Sequence, residues 1–239
     1  MNNIDLERIN QLENNIGYVY KDKSKAFQAI THSSYAYEHR HEGLSSNERL
    51  EFLGDSVLNF LITKKLFKEV SDMPEGEMSK LRASVVSEAS LSQSAKKLNV
   101  GEVLLLGKGE EIMGGRKRPS ILADAVEAII GSIYLDRGLE AADEFVSRFL
   151  KENFEKAIKG TLFCDYKTKL QEEVQKGNNH SIKYTVIAES GPDHDKVFTV
   201  AVFVNGEQLG QGTGKTKKEA EQKAAGDALN RLKAEDMEL

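Results

Sequence analysis

The sequence predicts a multidomain protein, in which an all-α domain precedes a small α+β domain. Residues 1–158 carry apolar residues mainly at helical spacing. Residues 159–163 resemble a linker, and the pattern changes after them. Residues 164–234 then carry one helical pattern, three strand-like runs and a final helical pattern, an α-β-β-β-α order typical of a compact α+β domain. Residues 235–239 form an acidic tail.

The helices of the first domain follow from apolar periodicity and from start and stop residues. Ser87 is a candidate N-cap, Pro119 suits a first helical turn, and Arg137-Gly138 suits a helix end. Between two of the helices lies a predicted loop, 107–118, rich in glycine and charge. The predicted helices span residues 4–16, 25–37, 47–70, 75–86, 88–98, 119–136 and 139–158.

The second domain is predicted from a change of period. Residues 165–176 and 217–233 have helical patterns. Strands are predicted over 182–189 and 197–204, with a short third strand near 208–210. Asn205-Gly206 between the last two is a strong hairpin signal.

Composition limits the class of protein. The 239 residues are 39% hydrophobic and 30% charged, which is typical of a globular protein, and the net charge is −5. No apolar run approaches the roughly 20 residues that cross a bilayer, so no membrane partner is expected. Cys164 is the only cysteine, which excludes an intrachain disulfide. Met1 to Asp5 lacks the basic and apolar regions of a secretory signal, so no such signal is expected. We therefore expect a cytoplasmic protein.

Three carboxylates interrupt the apolar pattern of the helix predicted over 47–70. At about 100° per residue, Glu48, Glu51 and Asp55 fall within a sector of about 60°. Crowded like charges repel unless a cation neutralises them, so the stripe suggests a divalent-metal site. The alternatives are a solvated acidic face and, for Glu48 alone, a capping box with Ser45.

A second pair of acids lies on the helix that begins at Pro119. Asp124 and Glu127 are three residues apart and share a face. Small residues on the same helix, Gly131 among them, allow another helix to approach closely. Packing of the two helices would bring Glu51 and Asp55 against Asp124 and Glu127, in a spacing that suits hard cations. Taken alone, the pair is more typical of a solvated helix face than of a metal site.

The segment Asn47-Glu-Arg-Leu-Glu-Phe-Leu-Gly-Asp55 resembles the signature of the bacterial ribonuclease III family. Thr31-His32-Ser33, Pro74-Glu75-Gly76 and Ser120 to Gly131 follow in the matching order. The resemblance covers essentially the whole chain, as an endonuclease domain over 1–158 and a double-stranded RNA-binding domain over 164–234.

The resemblance implies roles for particular residues. It implies that Glu51, Asp55, Asp124 and Glu127 hold catalytic Mg²⁺, with Mn²⁺ as a substitute, and that Asp55 and Glu127 are catalytic. Glu48 and Glu75 match two further active-site acids. Phe52 matches an aromatic residue at the interface of a homodimer, although an ordinary core residue would fit the pattern equally well.

Two other features have ordinary structural interpretations beside functional ones. His32 is expected to pack or cap within its helix rather than to catalyse. The basic run Arg116-Lys117-Arg118 fits either contact with RNA phosphates or a solvated loop.

The second domain resembles the double-stranded RNA-binding fold at three places. Gln171 and Gln175 share a helix face that suits a minor groove, and His194 lies in a turn between strands. Lys217 and Lys218 begin the last helix, where free N–H groups also favour phosphate. Where the family often has a third basic residue, this chain has Glu221, so a weaker phosphate grip is expected. The alternative is a solvated lysine pair behind a Thr216/Glu219 capping box.

The resemblance therefore implies a Mg²⁺-dependent endoribonuclease that hydrolyses double-stranded RNA to 5′-phosphate and 3′-hydroxyl ends. The implied substrates are ribosomal RNA precursors and other structured transcripts, including messenger RNAs. The alternative is a non-catalytic protein that binds double-stranded RNA and retains the fold.

Overall fold

The computed structural model describes residues 3–160, 162, 166–175, 181–192 and 196–236 and divides the chain into two compact units, 1–163 and 164–239. Each unit has its own hydrophobic core. The first is helical and the second combines helices with a three-stranded sheet, so the predicted fold class is confirmed. No helix among the described residues is long and apolar enough to cross a membrane.

The first unit is built from helices packed around one core. Two 3₁₀ turns, Arg40–Glu42 and Gly115–Lys117, connect some of them. The helices are α1 (Asn3–Ile16), α2 (Lys23–Ala29), α3 (Ser33–Glu38), α4 (Glu48–Glu69), α5 (Glu75–Val85), α6 (Glu88–Lys97), α7 (Val100–Val103), α8 (Lys108–Ile112), α9 (Pro119–Phe149) and α10 (Lys151–Ile158).

Helices α4 and α9 pack against each other at the centre of this unit, and two glycines permit their close approach. A Cβ atom on Gly54 of α4 would lie 1.8 Å from the backbone oxygen of Glu127. Reciprocally, a Cβ on Gly131 of α9 would lie 2.3 Å from the backbone oxygen of Leu50. No side chain fits at such distances, so the two backbones are in direct contact.

The prediction of a single helix over 25–37 is wrong, because tertiary contacts divide this segment into α2 and α3. Thr31 lies between them in a parallel bridge with Leu105. The backbone N–H of Leu105 donates to Ile30 O at 2.8 Å, and that of His32 donates to Leu105 O at 3.1 Å. These bonds replace the intrahelical bonds that a continuous helix would make.

Three further predictions are refined. The predicted loop 107–118 contains α8 and a 3₁₀ turn. Gly138 breaks α9 as predicted, with φ 83° and ψ −173°, a backbone conformation that favours glycine. The helix predicted over 139–158 is interrupted at Leu150, so α9 ends at Phe149 and α10 follows.

The second unit consists of α11 (Tyr166–Gln175), β1 (Ile182–Ser190), β2 (Val197–Val204), β3 (Glu207–Gly214) and α12 (Lys217–Asp236). The strands form an antiparallel sheet in the order β1-β2-β3. The predicted hairpin between β2 and β3 is confirmed, since Asn205 and Gly206 both have positive φ. Strand β3 is longer than the sequence predicted.

Helix α12 lies close to β3 because the facing residues are small. Gly210 and Gly212 of β3 alternate with residues of the other face, and a Cβ on either would lie 2.3–2.5 Å from backbone atoms of Ala224. Ala220, Ala224 and Ala228 form the buried stripe of α12. This contact fixes the N-terminus of α12, where Lys217 and Lys218 lie.

Candidate metal centre and nucleic-acid interface

Three of the predicted acids converge where α4 meets α9. Glu51, Asp124 and Glu127 each place one carboxylate oxygen within 4.8 Å of the others. Two opposite ligands of one Mg²⁺ ion are about 4.2 Å apart, at roughly 2.1 Å from the metal. The three side chains are half-buried. The donor set, its spacing and its partial exposure therefore fit a hard divalent cation.

The electrostatics of the cluster favour a bound cation. Burial, followed by the charges of Asp55, Asp124 and Glu51, raises the pKa of Glu127 to about 8. Burial also raises the pKa values of Glu51 and Asp124, and other carboxylates add to it in each case. No lysine or arginine among the described residues offsets these shifts. A divalent cation would relieve this repulsion.

Asp55 and Glu48 flank the cluster without belonging to its inner group. The Asp55 carboxylate is exposed, close enough to raise the pKa of Glu127, and accepts a hydrogen bond from Asn59 Nδ2 at 2.7 Å. Glu48 is exposed and accepts from the Ser46 hydroxyl at 2.8 Å. The alternative for Glu48, a capping box with Ser45, does not hold, because Asn47 occupies the N-cap position.

Asn47 has a role that the sequence did not reveal. Its side chain is buried, its N–H donates to Thr31 O at 2.8 Å, and its Nδ2 donates to Ala29 O at 3.4 Å. Asn47 thus fastens the start of α4 to the segment between α2 and α3. The only sequence feature that could have indicated this role is the position of Asn47 directly before the acidic segment.

Glu75 does not belong to the three-carboxylate cluster that the described residues form. It begins α5 and accepts a hydrogen bond from Ser79 Oγ at 2.8 Å. It lines a small cavity of about 130 Å³ near the C-terminal half of α4, with Phe67, Met78 and Arg82 among the other lining residues.

His32 caps α3, as the sequence predicted. Its Nδ1 accepts from the backbone N–H of Ser34 at 3.2 Å. The same Nδ1 lies 2.8 Å from Ser34 Oγ. His32 and Glu88 both lie near enough to Asp124 to influence its pKa, in opposite directions. Glu88 was not predicted to approach this site, since its position depends on the packing of α6 against α9.

The basic run is largely neutralised within its own loop. Arg116 forms two hydrogen bonds of 2.6 Å with Glu111 and donates to the backbone oxygens of Gly101 and Leu104. Arg118 pairs with Glu110 at 2.7 Å. The arginines therefore stabilise the 107–118 segment, whereas Lys117 of the basic run is exposed.

Phe52 is not a core residue, because 79% of its side chain is exposed. Phe60 and Phe67 on the same helix are 53% and 75% exposed. At about 100° per residue, the three fall within a sector of about 80°, so they form one apolar face of α4. We call Phe52, Phe60 and Phe67 the phenylalanine face.

The predicted RNA contacts of the second unit lie on exposed surfaces. Gln171 and Gln175 are exposed on α11 and line a cleft of about 220 Å³ with Lys167, Ile182 and Tyr184. Lys217 and Lys218 are exposed in the first turn of α12. His194 lies outside the described residues.

The start of α12 combines a cap with the two lysines. The Glu219 N–H donates to Thr216 Oγ1 at 3.1 Å, so the predicted cap is present. Lys217 Nζ lies 3.8 Å from Glu189 Oε1 and 5.4 Å from the centre of the Phe198 ring. The cap and the exposed lysine pair are therefore both present, and they do not exclude each other.

Family models match both units. A model described as ribonuclease-III-like matches residues 22–153, and the double-stranded RNA binding motif matches residues 166–232. A solved structure of the nuclease domain of ribonuclease III from Campylobacter jejuni is 42% identical, with a TM-score of 0.57. The match covers 62% of this chain and 99% of that one, and that structure is described as flexible in a region involved in dimer formation.

Curated relatives match nearly the full length of the chain. Ribonuclease 3 of Desulforamulus reducens is 48% identical over 226 residues, covering 95% of this chain and 92% of the relative. Ribonuclease 3 of Caldanaerobacter subterraneus subsp. tengcongensis is 49% identical over 221 residues, covering 92% and 96%. With a helical unit that gathers three carboxylates and a second unit of the α-β-β-β-α order, this chain belongs to the ribonuclease III family of endoribonucleases.

Proposed function

We propose that the protein hydrolyses phosphodiester bonds of double-stranded RNA with Mg²⁺, leaving 5′-phosphate and 3′-hydroxyl ends. The observation that carries this proposal is the convergence of Glu51, Asp124 and Glu127 in a chain that also has a double-stranded RNA-binding unit. Ribosomal RNA precursors and other structured transcripts, including messenger RNAs, are the proposed substrates, by analogy with the family. The single cysteine of the chain supports a cytoplasmic location.

In this proposal Glu51, Asp124 and Glu127 hold the cation, and Asp55 completes the set from the next turn of α4. The ion supplies Lewis acidity toward a phosphoryl oxygen and toward the attacking water. The protein supplies geometry, because the contact between Gly54 and Gly131 holds the two acidic helix faces together. Mn²⁺ prefers similar oxygen ligands and is the proposed substitute.

The second unit binds the duplex in this proposal and the first unit cuts it. Gln171 and Gln175 offer amide donors and acceptors to a minor groove, as double-stranded RNA-binding domains do along A-form helices. His194 is proposed to reach a second minor-groove site, on the basis of the family resemblance. Lys217 and Lys218 contact phosphates across the intervening major groove, aided by the free N–H groups of α12.

Glu127→Gln tests the metal assignment. The amide keeps the shape of the side chain and removes its charge, so it should reduce cleavage in Mg²⁺ by at least the roughly 10–100-fold that loss of a supporting partner of a metal ligand causes. Duplex binding should change little, because it depends mainly on the other unit. Cleavage assays and gel-shift titrations on the same RNA duplex measure the two effects.

The cleavage and gel-shift assays together also distinguish an endoribonuclease from a non-catalytic RNA-binding protein. A wild-type protein that binds the duplex but does not cut it in Mg²⁺ or Mn²⁺ would favour a non-catalytic RNA-binding protein. Cleavage by Glu127→Gln at the wild-type rate would remove Glu127 from the metal site. Glu140→Gln, an exposed glutamate farther along α9, is a suitable control for loss of one charge.

We further propose that the protein acts as a homodimer joined along the phenylalanine face. A single chain leaves this apolar face uncovered. A two-fold interface can seat Phe52 in the partner subunit's cavity beside Phe67, since each subunit offers both the residue and the cavity. Glu75 lines that cavity and Phe52 adjoins Glu51, so the dimer would bring Glu75 near the partner subunit's carboxylates. Two sites on one dimer suit a substrate with two strands.

A further inference from the structure

The position of Glu221 on α12 suggests a role different from the weaker phosphate grip that the sequence predicted. Glu221 Oε2 lies 2.8 Å from Lys167 Nζ, in an ion pair between α12 and α11. The same Nζ atom lies 4.4 Å from the centre of the Tyr184 ring of β1. Lys167 is therefore held between an acid of one helix and an aromatic ring of the sheet.

Two further contacts fasten the first turn of α11 to α12. The backbone N–H of Lys167 donates to Gln222 Oε1 at 3.4 Å. A Cβ on Gly226 would lie 3.4 Å from the Tyr166 ring, an ordinary contact distance, so the ring packs closely against α12 at this point. The contacts around Glu221 thus determine where α11 begins relative to α12.

The position of α11 matters because the helix carries the predicted RNA contacts. Residues 167, 171 and 175 follow one another at intervals of four, so they lie along one stripe of the helix. Lys167, Gln171 and Gln175 line the same cleft against β1. A shift of the first turn of α11 would therefore move both glutamines relative to the lysines of α12.

We propose that Glu221 is a positioning residue for RNA binding, which acts through Lys167 to hold α11 in register with the N-terminus of α12. This inference rests on the proposed binding of double-stranded RNA by the second unit. A duplex must be contacted by α11 and α12 at the same time, at a separation that the A-form geometry dictates. The Glu221–Lys167 pair keeps that separation in the free protein.

Glu221→Gln tests the inference because its two interpretations predict opposite results. If Glu221 merely repels phosphate, loss of its charge should tighten RNA binding. If Glu221 positions α11, the same change should weaken binding by about two- to fivefold, the effect expected of one partly exposed ion pair. KM for cleavage should rise by a similar factor, while kcat at saturating RNA should stay unchanged, since the carboxylate cluster lies in the other unit.

The experiment uses the full-length protein and several matched variants. Glu172→Gln removes one exposed acid from α11 that does not face α12 and should leave binding unchanged or slightly tighter. The exchanged pair Lys167→Glu with Glu221→Lys should bind RNA better than either single variant, because it restores the ion pair in reverse. Thermal melting shows that each variant is folded at the assay temperature, and hydrogen exchange should be faster in the first turn of α11 for Glu221→Gln.

Binding is measured by fluorescence anisotropy with a labelled RNA duplex. Tighter or unchanged binding by Glu221→Gln, or an exchanged pair no better than the Lys167→Glu variant, would overturn this inference alone. A wild-type protein with no affinity for the duplex would overturn the proposed function, and this inference with it. Weaker binding with unchanged kcat, together with improvement in the exchanged pair, would support it.

Discussion

At the scale of single residues, the carboxylates show which parts of the site the sequence could predict. Helical periodicity places Glu51 and Asp55 on one face and Asp124 with Glu127 on another, and the structure brings Glu51, Asp124 and Glu127 together. Periodicity could not predict that Asp55 would stay exposed beside Asn59, or that Glu75 would lie at a separate cavity. Those details depend on helix rotation and packing.

The raised pKa of Glu127 predicts how stability depends on pH. The ordinary pKa is 4.5, and in the folded protein burial and nearby acids raise it to about 8. Between these values the folded state holds a proton that the unfolded state has released. The contribution to the free energy of unfolding is therefore full below about pH 4.5 and is lost as pH rises toward about 8. The raised pKa values of Glu51 and Asp124 act in the same direction.

Thermal melting with and without Mg²⁺ measures this effect. In EDTA, Tm should decrease as pH rises across this window, and Glu127→Gln should reduce the decrease. Mg²⁺ binds the deprotonated carboxylates, so its stabilising effect should grow over the same pH range. An increase in Tm with Mg²⁺ that is equal at pH values below and above the window would contradict the assignment.

At the scale of helices and strands, most segments were predictable because their apolar residues repeat at a regular period. The failures occur where long-range contacts override that period. Residues 25–37 look like one helix, but the bridge between Thr31 and Leu105 divides them. Residues 139–158 also look continuous, yet the structure separates α9 from α10 at Leu150. Local sequence carries no signal of a bridge to a segment more than seventy residues away.

The contact between α4 and α9 predicts a large effect of Gly54→Ala. The added Cβ would lie 1.8 Å from Glu127 O, in backbone that cannot yield without moving a helix. We expect a loss of about 1–3 kcal/mol or more in the free energy of unfolding, the range found for overpacked cores, and reduced Mg²⁺-dependent cleavage. Chemical denaturation and cleavage assays measure both.

Gly76→Ala is the matched control for that substitution. Gly76 also lies in a helix, but a Cβ there would have nothing within 4 Å. Alanine should therefore raise stability slightly, by about 0.4–1 kcal/mol, because it favours helix and reduces the freedom of the unfolded chain. Equal effects at Gly54 and Gly76 would show that helix propensity, and not the helix contact, determines the outcome.

The N-terminus of α12 predicts how binding responds to salt. Replacing Lys217 and Lys218 with Ala should weaken binding to all duplex sequences, because phosphate contacts carry no sequence information. Each lost contact should flatten the log–log salt dependence by on the order of 0.7–0.9. Since Lys217 already lies near Glu189, it should contribute less to the salt dependence than Lys218. Affinities at several salt concentrations test this, and an unchanged slope would place the phosphate contacts elsewhere.

At the scale of the whole molecule, the phenylalanine face could be located only once burial was known. The sequence left Phe52 open between a core residue and an interface residue, and its 79% exposure excludes the core. Nothing in the helical pattern distinguishes Phe60 and Phe67, because exposed and buried phenylalanines look alike in it. Only their shared exposure on one side of α4 joins them to Phe52.

The geometry of this face predicts where the two-fold axis of a dimer passes. If Phe52 of one subunit enters the cavity beside the partner subunit's Phe67, the two α4 helices run antiparallel. Residues 52 and 67 are about 22 Å apart along the helix, at about 1.5 Å per residue, and their midpoint falls beside Phe60. The axis therefore passes near Phe60, which should contact the partner subunit's Phe60.

Phe60→Asp should consequently convert the dimer into a monomer. It places two carboxylates opposite each other at the axis, and it lies two turns from the metal cluster, so the site itself should be preserved. Light scattering at micromolar concentration should report two chains for the wild type and one for the variant, and cleavage of both strands in one binding event should be lost. Ile112→Asp, at an 85% exposed position of α8, should leave the mass at two chains. A monomeric wild type that cuts both strands would refute the dimer, whereas a dimeric Phe60→Asp variant would place the interface on another surface.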